Sequence, residues 1–295
     1  MIKVAILGSE NSHCGQFASV LAPKDGNKLY SDVELIGVYG ERGEAGVTEG
    51  NDAVARMSTC TVFADDKDAF LEEADAVMVT ARDGGKHLKY AENYIKKGIP
   101  VWIDKPITRS VSEVLELVNL AKAHGAILSG GSSLEFNESV NKFAHIAGEN
   151  KSEILGAHIT APVNMDNPYG GFWFYTQHLV AMITTIFGTD IKSVRALRTP
   201  NGVHALYYYD SFTVSAFYGA GYSVTLYTGR VSALSESFEL PRDFYMPELE
   251  TFYRVIKTGK PDKTARDYIA PVYILAATVD AFEKNTEIAI DIPLI

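Results

Sequence analysis

The chain has 295 residues, 46% of them hydrophobic and 22% charged, which is more than one ordinary domain and enough to bury two cores. A formal charge of −10 with no Lys/Arg cluster to offset it repels phosphate backbones, which argues against nucleic acid and for a small metabolite as partner. No apolar run reaches the roughly 18 residues that cross a bilayer. Cys14 and Cys60 are too few for a disulfide framework and stand at no metal-ligand spacing, so a cytoplasmic protein without metal or membrane partner is expected.

In chain order, Ile2–Leu7 reads as a first strand rather than a signal peptide, ending at Gly8, with Ser12 as the expected N-cap of the helix that follows. Strands follow at 33–39 and 74–80, and Asp65-Asp66 and Glu72-Glu73 are expected to flank a short amphipathic helix. Helices at 87–97 and 111–124 end at Gly98 and Gly125, where helix-terminating residues belong, and strands 101–103 and 126–128 follow them. This alternation implies a doubly wound parallel sheet of the Rossmann type over residues 1–128. The texture then changes. Residues 129–295 predict an α+β domain with a mainly antiparallel open sheet, in which 206–217 and 222–229 form a hairpin about Gly219-Ala220-Gly221. Helices are expected at 176–187, 246–257 and 267–284.

The loop after the first strand of such a sheet carries the phosphates of a nucleotide to a helix N-terminus, by the pattern G-x-G-x-x-G. Here the loop is Gly8-Ser9-Glu10-Asn11-Ser12-His13, in which only the first glycine survives. A carboxylate about 4 Å from a phosphate charge would cost about 4 kcal/mol at an effective dielectric near 20, so Glu10 must turn away or bind something else. Glu41, just past the second strand, is the candidate for the ribose hydroxyls. Arg82 and Lys86, in the glycine-containing loop that begins at Thr80, are candidates for an anionic group.

Residues His87, Ala91 and Gly98, followed by Asp104-Lys105-Pro106, resemble the Gfo/Idh/MocA family of glucose–fructose oxidoreductases and inositol dehydrogenases. In that family a histidine opens the helix after the fourth strand and Glu-Lys-Pro ends the fifth. The resemblance implies a Rossmann domain, a C-terminal open sheet that makes homodimers or homotetramers, and hydride transfer between NAD or NADP and a hydroxyl of a sugar, polyol or sugar-derived substrate. It makes Lys105 the residue that polarises the developing alkoxide. It sets Gly8, Ser9, Glu10, Asn11, Ser12, His13, Glu41, Thr80, His87, Asp104 and Lys105 at the cofactor. His178 matches the family's catalytic histidine, although Phe174 stands where Asp is usual, and Tyr175 is a candidate acid. Two other readings stay open: a metabolite sensor that kept the fold without the chemistry, and a redox-neutral enzyme with resident NAD.

Overall fold

The computed structural model describes residues 1–63, 65–229 and 233–293. The chain divides into two compact units. The first comprises Met1–Thr108, Ser112–Gly131 and Tyr245–Thr264, and the second Arg109–Val111, Ser132–Phe244 and Ala265–Ile295.

The first unit runs β1 (Ile2–Leu7), α1 (Ser12–Leu21), β2 (Val33–Tyr39), α2 (Val47–Met57), β3 (Val62–Phe63), β4 (Ala76–Val79), α3 (His87–Lys96), β5 (Val101–Asp104), α4 (Val111–His124) and β6 (Leu128–Gly131). All of its strand pairs are parallel, in the order β3-β2-β1-β4-β5-β6. Parallel pairing brings the carboxyl ends of the strands to one edge, and in such sheets ligands bind outside that edge, where the strand order reverses. Leu7 lies opposite both Tyr39 and Val79, so Gly8, Gly40 and Thr80 leave the sheet side by side. Gly8 has φ +106°, and a Cβ there would lie 2.4 Å from the Ala81 nitrogen, so this glycine lets β1 and β4 close at their ends. The charged stretch 65–73 forms bends and turns rather than the expected helix. Asp66 accepts the Asp68 N–H, and Asp68 accepts from Asn93; these side-chain bonds favour local turns over a helical ladder.

One further helix belongs to this unit. α7 (Met246–Thr258), expected among the residues of the second domain, packs Leu249, Phe252 and Val255 into one core with Phe17, Leu21, Met78 and Trp102. Each such buried side chain contributes about 1.5–3 kcal/mol. Outside the core, Tyr253 and Lys257 both bond Asp32. The boundary expected after residue 128 therefore falls after Gly131, and residues 245–264 return to the first unit because their apolar stripe is buried there.

The second unit adds α5 (Glu138–Glu149), β7 (Ile154–Ala161), α6 (Trp173–Phe187), β8 (Ser193–Thr199), β9 (Gly202–Tyr208), β10 (Thr213–Tyr218), β11 (Tyr222–Thr228), β12 (Leu234–Phe238), α8 (Ala265–Lys284) and β13 (Ile288–Ala289). The sheet order is β12-β11-β7-β10-β9-β8-β13, antiparallel except for the β7–β10 pair. The expected hairpin is not formed. Residues 206–217 span parts of two strands, and β7 inserts between β10 and β11, so the Gly219–Gly221 turn joins strands that each pair with β7 instead. Alternation along the strands buries one face, where Tyr207, Tyr218 and Thr278 share hydroxyl hydrogen bonds. The other face leaves Leu197, Leu206 and Tyr227 exposed. Among the described residues no helix is long and apolar enough to cross a membrane.

Candidate functional site

At the α1 end of the first sheet, the structure replaces glycine contacts by side-chain bonds. Asn11, not Ser12, caps α1: its side chain accepts the His13 N–H at 3.2 Å, leaving Ser12 exposed as the first helical residue. Ser9 donates to Asn51 of α2, and a Cβ on Gly50 would come within 2.0 Å of the Ser9 carbonyl oxygen, so α2 sits directly on the loop. Glu10 is buried, and its Oε1 accepts the Arg82 N–H at 3.0 Å while the Arg82 guanidinium donates back to the Glu10 carbonyl. The carboxylate that would have opposed a phosphate is thereby tied to a backbone N–H of the Arg82 loop. Thr80 donates from Oγ1 to the Gly8 carbonyl at 2.6 Å, a tie between strand ends.

Glu41 follows β2 and accepts from Tyr90 Oη at 2.7 Å and Lys86 Nζ at 3.1 Å. The Tyr90 bond holds its carboxyl below the usual range, with Lys86 and Lys89 adding to the effect against partial burial. Lys86 also pairs with Glu44. Of the two loop cations, Lys86 is therefore committed to acids of this unit. His87 is fully buried, with Nδ1 facing the Ile107 carbonyl at 3.1 Å and Nε2 the Ala81 carbonyl at 2.8 Å; it braces two loops from beneath. A cleft of about 400 Å³ beside the α1 N-terminus is lined by residues including Ser12, Gln16, Gly46, Gly50 and Arg82.

Asn11, His13, Asp104 and Lys105 meet at the end of β5. Asp104 is wholly buried, and both of its oxygens are engaged: Oδ1 accepts the Lys105 backbone N–H at 2.7 Å, while Oδ2 receives Asn11 Nδ2 and lies 3.1 Å from His13 Nδ1. Burial opposes ionisation of Asp104, but the imidazole beside it holds the carboxyl below its ordinary value. Burial likewise opposes charging of His13, and Asp104 overcomes it, with help from Glu248, so that His13 is raised. Burial dominates at Lys105 and lowers it, although Asp104 and Glu248 pull the other way. Glu248, on the first turn of α7, is only 2% exposed.

In the second unit His178 is buried on α6, and its Nδ1 lies 2.7 Å from Ser132 Oγ. Ser132 is itself fixed by a reciprocal cap: its Oγ accepts the Leu134 N–H and Glu135 accepts the Ser132 N–H. Tyr175 is half-buried, with its ring edge-on to His178 at 5.0 Å, and Tyr222 stands on another side at 6.4 Å. Phe174, one turn before His178, packs against Tyr169 and Tyr175.

Two residues of these clusters escaped the sequence reading. Ser132-x-x-Glu135 is a capping-box pattern that could have flagged the serine. Glu248 shares a helical stripe with Phe252 and Val255, and a charge on a buried stripe was the available signal.

Residues 2–132 match the model of the oxidoreductase family Gfo/Idh/MocA, described as an NAD-binding Rossmann fold. No curated protein matches the chain in sequence. Solved structures are similar over nearly the whole length. Myo-inositol 2-dehydrogenase from Lactobacillus plantarum has a TM-score of 0.81 at 16% identity, covering 98% of this chain and 99% of that one. Scyllo-inositol dehydrogenase from Lactobacillus casei, crystallised with NAD(H) and scyllo-inositol, has 0.78 at 18% identity, covering 98% and 99%. A myo-inositol dehydrogenase from Corynebacterium glutamicum has 0.79 at 14% identity and covers both chains completely. Residues 2–132 are thus similar to the NAD-binding Rossmann fold of the Gfo/Idh/MocA oxidoreductase family, and the chain as a whole has the fold of these dehydrogenases.

Proposed function

We propose that the protein is an NAD-dependent dehydrogenase that moves a hydride between nicotinamide and a hydroxyl-bearing carbon of a sugar, polyol or related metabolite. The observation that carries this reading is Lys105, a buried lysine lowered by desolvation, at the carboxyl end of a parallel strand in a family-matched Rossmann unit. A lysine in that state can hydrogen-bond a substrate oxygen and stabilise the negative charge that grows on it.

The nucleotide has a changed but chemically suitable cradle. The exposed α1 N-terminus at Ser12 and the Arg82 guanidinium supply positive potential for a pyrophosphate, and the Glu10 carboxylate is held by the Arg82 backbone N–H. Glu41 is placed to accept ribose hydroxyls and would repel a 2′-phosphate, which favours NAD over NADP. Bound nicotinamide would supply the hydride acceptor or donor. In the second unit, His178 takes the proton of the substrate hydroxyl, Ser132 fixes the ring through Nδ1, and Tyr175 lends a phenol as hydrogen-bond donor. Gly8, Thr80 and His87 act by holding loops rather than by touching the cofactor. The exposed apolar face of the second sheet, with Leu197, Leu206 and Tyr227, serves self-association into dimers or tetramers.

The test begins with thermal unfolding in the presence of NAD, NADH, NADP and NADPH. A nucleotide at a hundred times its dissociation constant should add about 2.7 kcal/mol. With a stabilising nucleotide in hand, turnover is sought over inositols, sugars and sugar acids, and Lys105→Ala should abolish it while keeping the fold. A second reading, a non-catalytic metabolite binder, is favoured by Phe174 in place of a carboxylate. A ligand that binds and is recovered unchanged, with no nucleotide effect, would establish it.

A further inference from the structure

Two departures from the expected pattern, a histidine at the third glycine position and an aspartate at the first position of the β5 triplet, meet in space. The imidazole of His13 sits within 3.1 Å of the Asp104 carboxylate, and its ring lies 5.7 Å from Phe17 in the core. An aspartate is one methylene shorter than a glutamate, and that methylene is the room an imidazole needs here. His13 and Asp104 therefore read as one coupled exchange in which a side chain fills what would otherwise be close helix–strand packing. The exchange also determines where the Asp104 charge is directed. Oδ2 is taken by Asn11 and His13, and Oδ1 by the Lys105 backbone N–H, so both oxygens are committed to groups other than the Lys105 amine.

We propose that His13 is a positioning residue for Lys105, acting through Asp104: the imidazole claims the carboxylate oxygen that would otherwise turn to the lysine amine. In its charged form the imidazole also repels a second positive charge at Lys105. His13 and Lys105 thus compete for the negative charge of Asp104 on β5 and Glu248 on α7, while Arg82, in the loop after β4, adds to the repulsion at Lys105. The result is a lysine whose amine is more readily free of its proton than its two acidic neighbours alone would allow. That Lys105 takes part in chemistry rests on the function proposed above, but the arrangement itself can be tested without turnover.

The experiment is a pH titration of protein labelled with ¹³C at lysine Cε, with the Lys105 signal assigned by its loss in Lys105→Arg. His13→Gln, which can still donate a hydrogen bond to Asp104 but carries no charge, and His13→Ala are compared with the parent, and circular dichroism checks that each is folded. The proposal expects the Lys105 midpoint to move to higher pH in both variants, further in His13→Ala, and to lower pH in Asp104→Asn. A Lys105 midpoint that stays in place or falls in folded His13→Gln overturns it, whatever His13→Ala does. If the midpoints move as expected but Lys105→Ala keeps full turnover, the dehydrogenase role of Lys105 fails and the positioning role of His13 stands.

Discussion

His13 and His178 are both buried histidines, each in its own unit, and they are held by opposite chemistries. His13 faces a carboxylate whose charge must be matched, and the pair belongs to a cluster with Lys105 and Glu248. His178 faces a hydroxyl that can donate or accept, and the rings of Tyr175 and Tyr222 stand beside it. A carboxylate fixes which ring nitrogen carries a proton and favours the charged ring, whereas a serine hydroxyl accommodates either tautomer. The first histidine is set to hold charge, and the second has a partner that suits either tautomer.

The largest expected effect comes from breaking the charged pair. Asp104→Ala leaves His13 and Lys105 buried without their common acid and should cost about 3–5 kcal/mol in denaturant unfolding, because an uncompensated buried charge is left behind. If the comparison holds, His13→Gly combined with Asp104→Glu should lose less than the sum of the two single changes, since a smaller residue at 13 makes room for a longer one at 104. Additive losses would mean that the two positions are independent.

Ser132→Ala comes next. It removes a cap and the partner of His178 together, and should cost about 1–2 kcal/mol. Its sharper readout is kinetic. In the reaction proposed above, turnover should fall by about 10-fold or more at nearly constant KM, because a base that is free to rotate loses general-base efficiency without losing substrate contacts. Ser132→Thr keeps the hydroxyl and should recover most of the rate.

Acidity and alkalinity should act differently on the charged pair. Asp104 has its folded value depressed from the ordinary 3.8, so its contribution is present above that pH and is lost as the pH falls through the folded value. His13 has its folded value raised from 6.5, so its contribution is complete below 6.5 and is lost as the pH rises through the folded value. The pair therefore stabilises the fold most between about pH 4 and pH 6.5. In His13→Gln the alkaline part of this loss should disappear from a series of unfolding curves, while the acid part remains.

What the sequence disclosed follows the same division. The first sheet was legible because a short apolar run ending at Gly8 and helices ending at Gly98 and Gly125 punctuate a regular alternation. The second sheet misled because Leu206–Phe217 is apolar enough to look continuous, whereas pairing with β7 is a long-range choice that no local pattern records. Among the candidate residues, Lys105 and His178 were named by motif, but their partners within each unit were not. Asp104 and His13 were read as separate cofactor contacts, and only the fold shows that α1 and β5 bring them to one point. Glu248 lies 143 residues beyond Lys105, on a helix whose return to the first unit is itself a tertiary event.

The smallest effect tests the second histidine from the other side. Phe174 and His178 are one turn apart on α6, a spacing at which helix side chains meet, and Phe174→Asp would put a carboxylate where a ring now packs against Tyr169 and Tyr175. The gain from an i,i+4 pair is about 0.2–0.5 kcal/mol and the two lost ring contacts cost at least about 1 kcal/mol together, so a small net destabilisation of about 0.5 kcal/mol or more is expected in unfolding. The catalytic consequence is separable. A carboxylate would favour the charged ring and compete with Ser132 for it, so the pH below which turnover is lost should move upward, an effect that Phe174→Asn would not reproduce. A pH profile identical in parent and Phe174→Asp would mean that His178 does not carry the proton, and that Ser132 and the surrounding rings merely fill the core of the second unit.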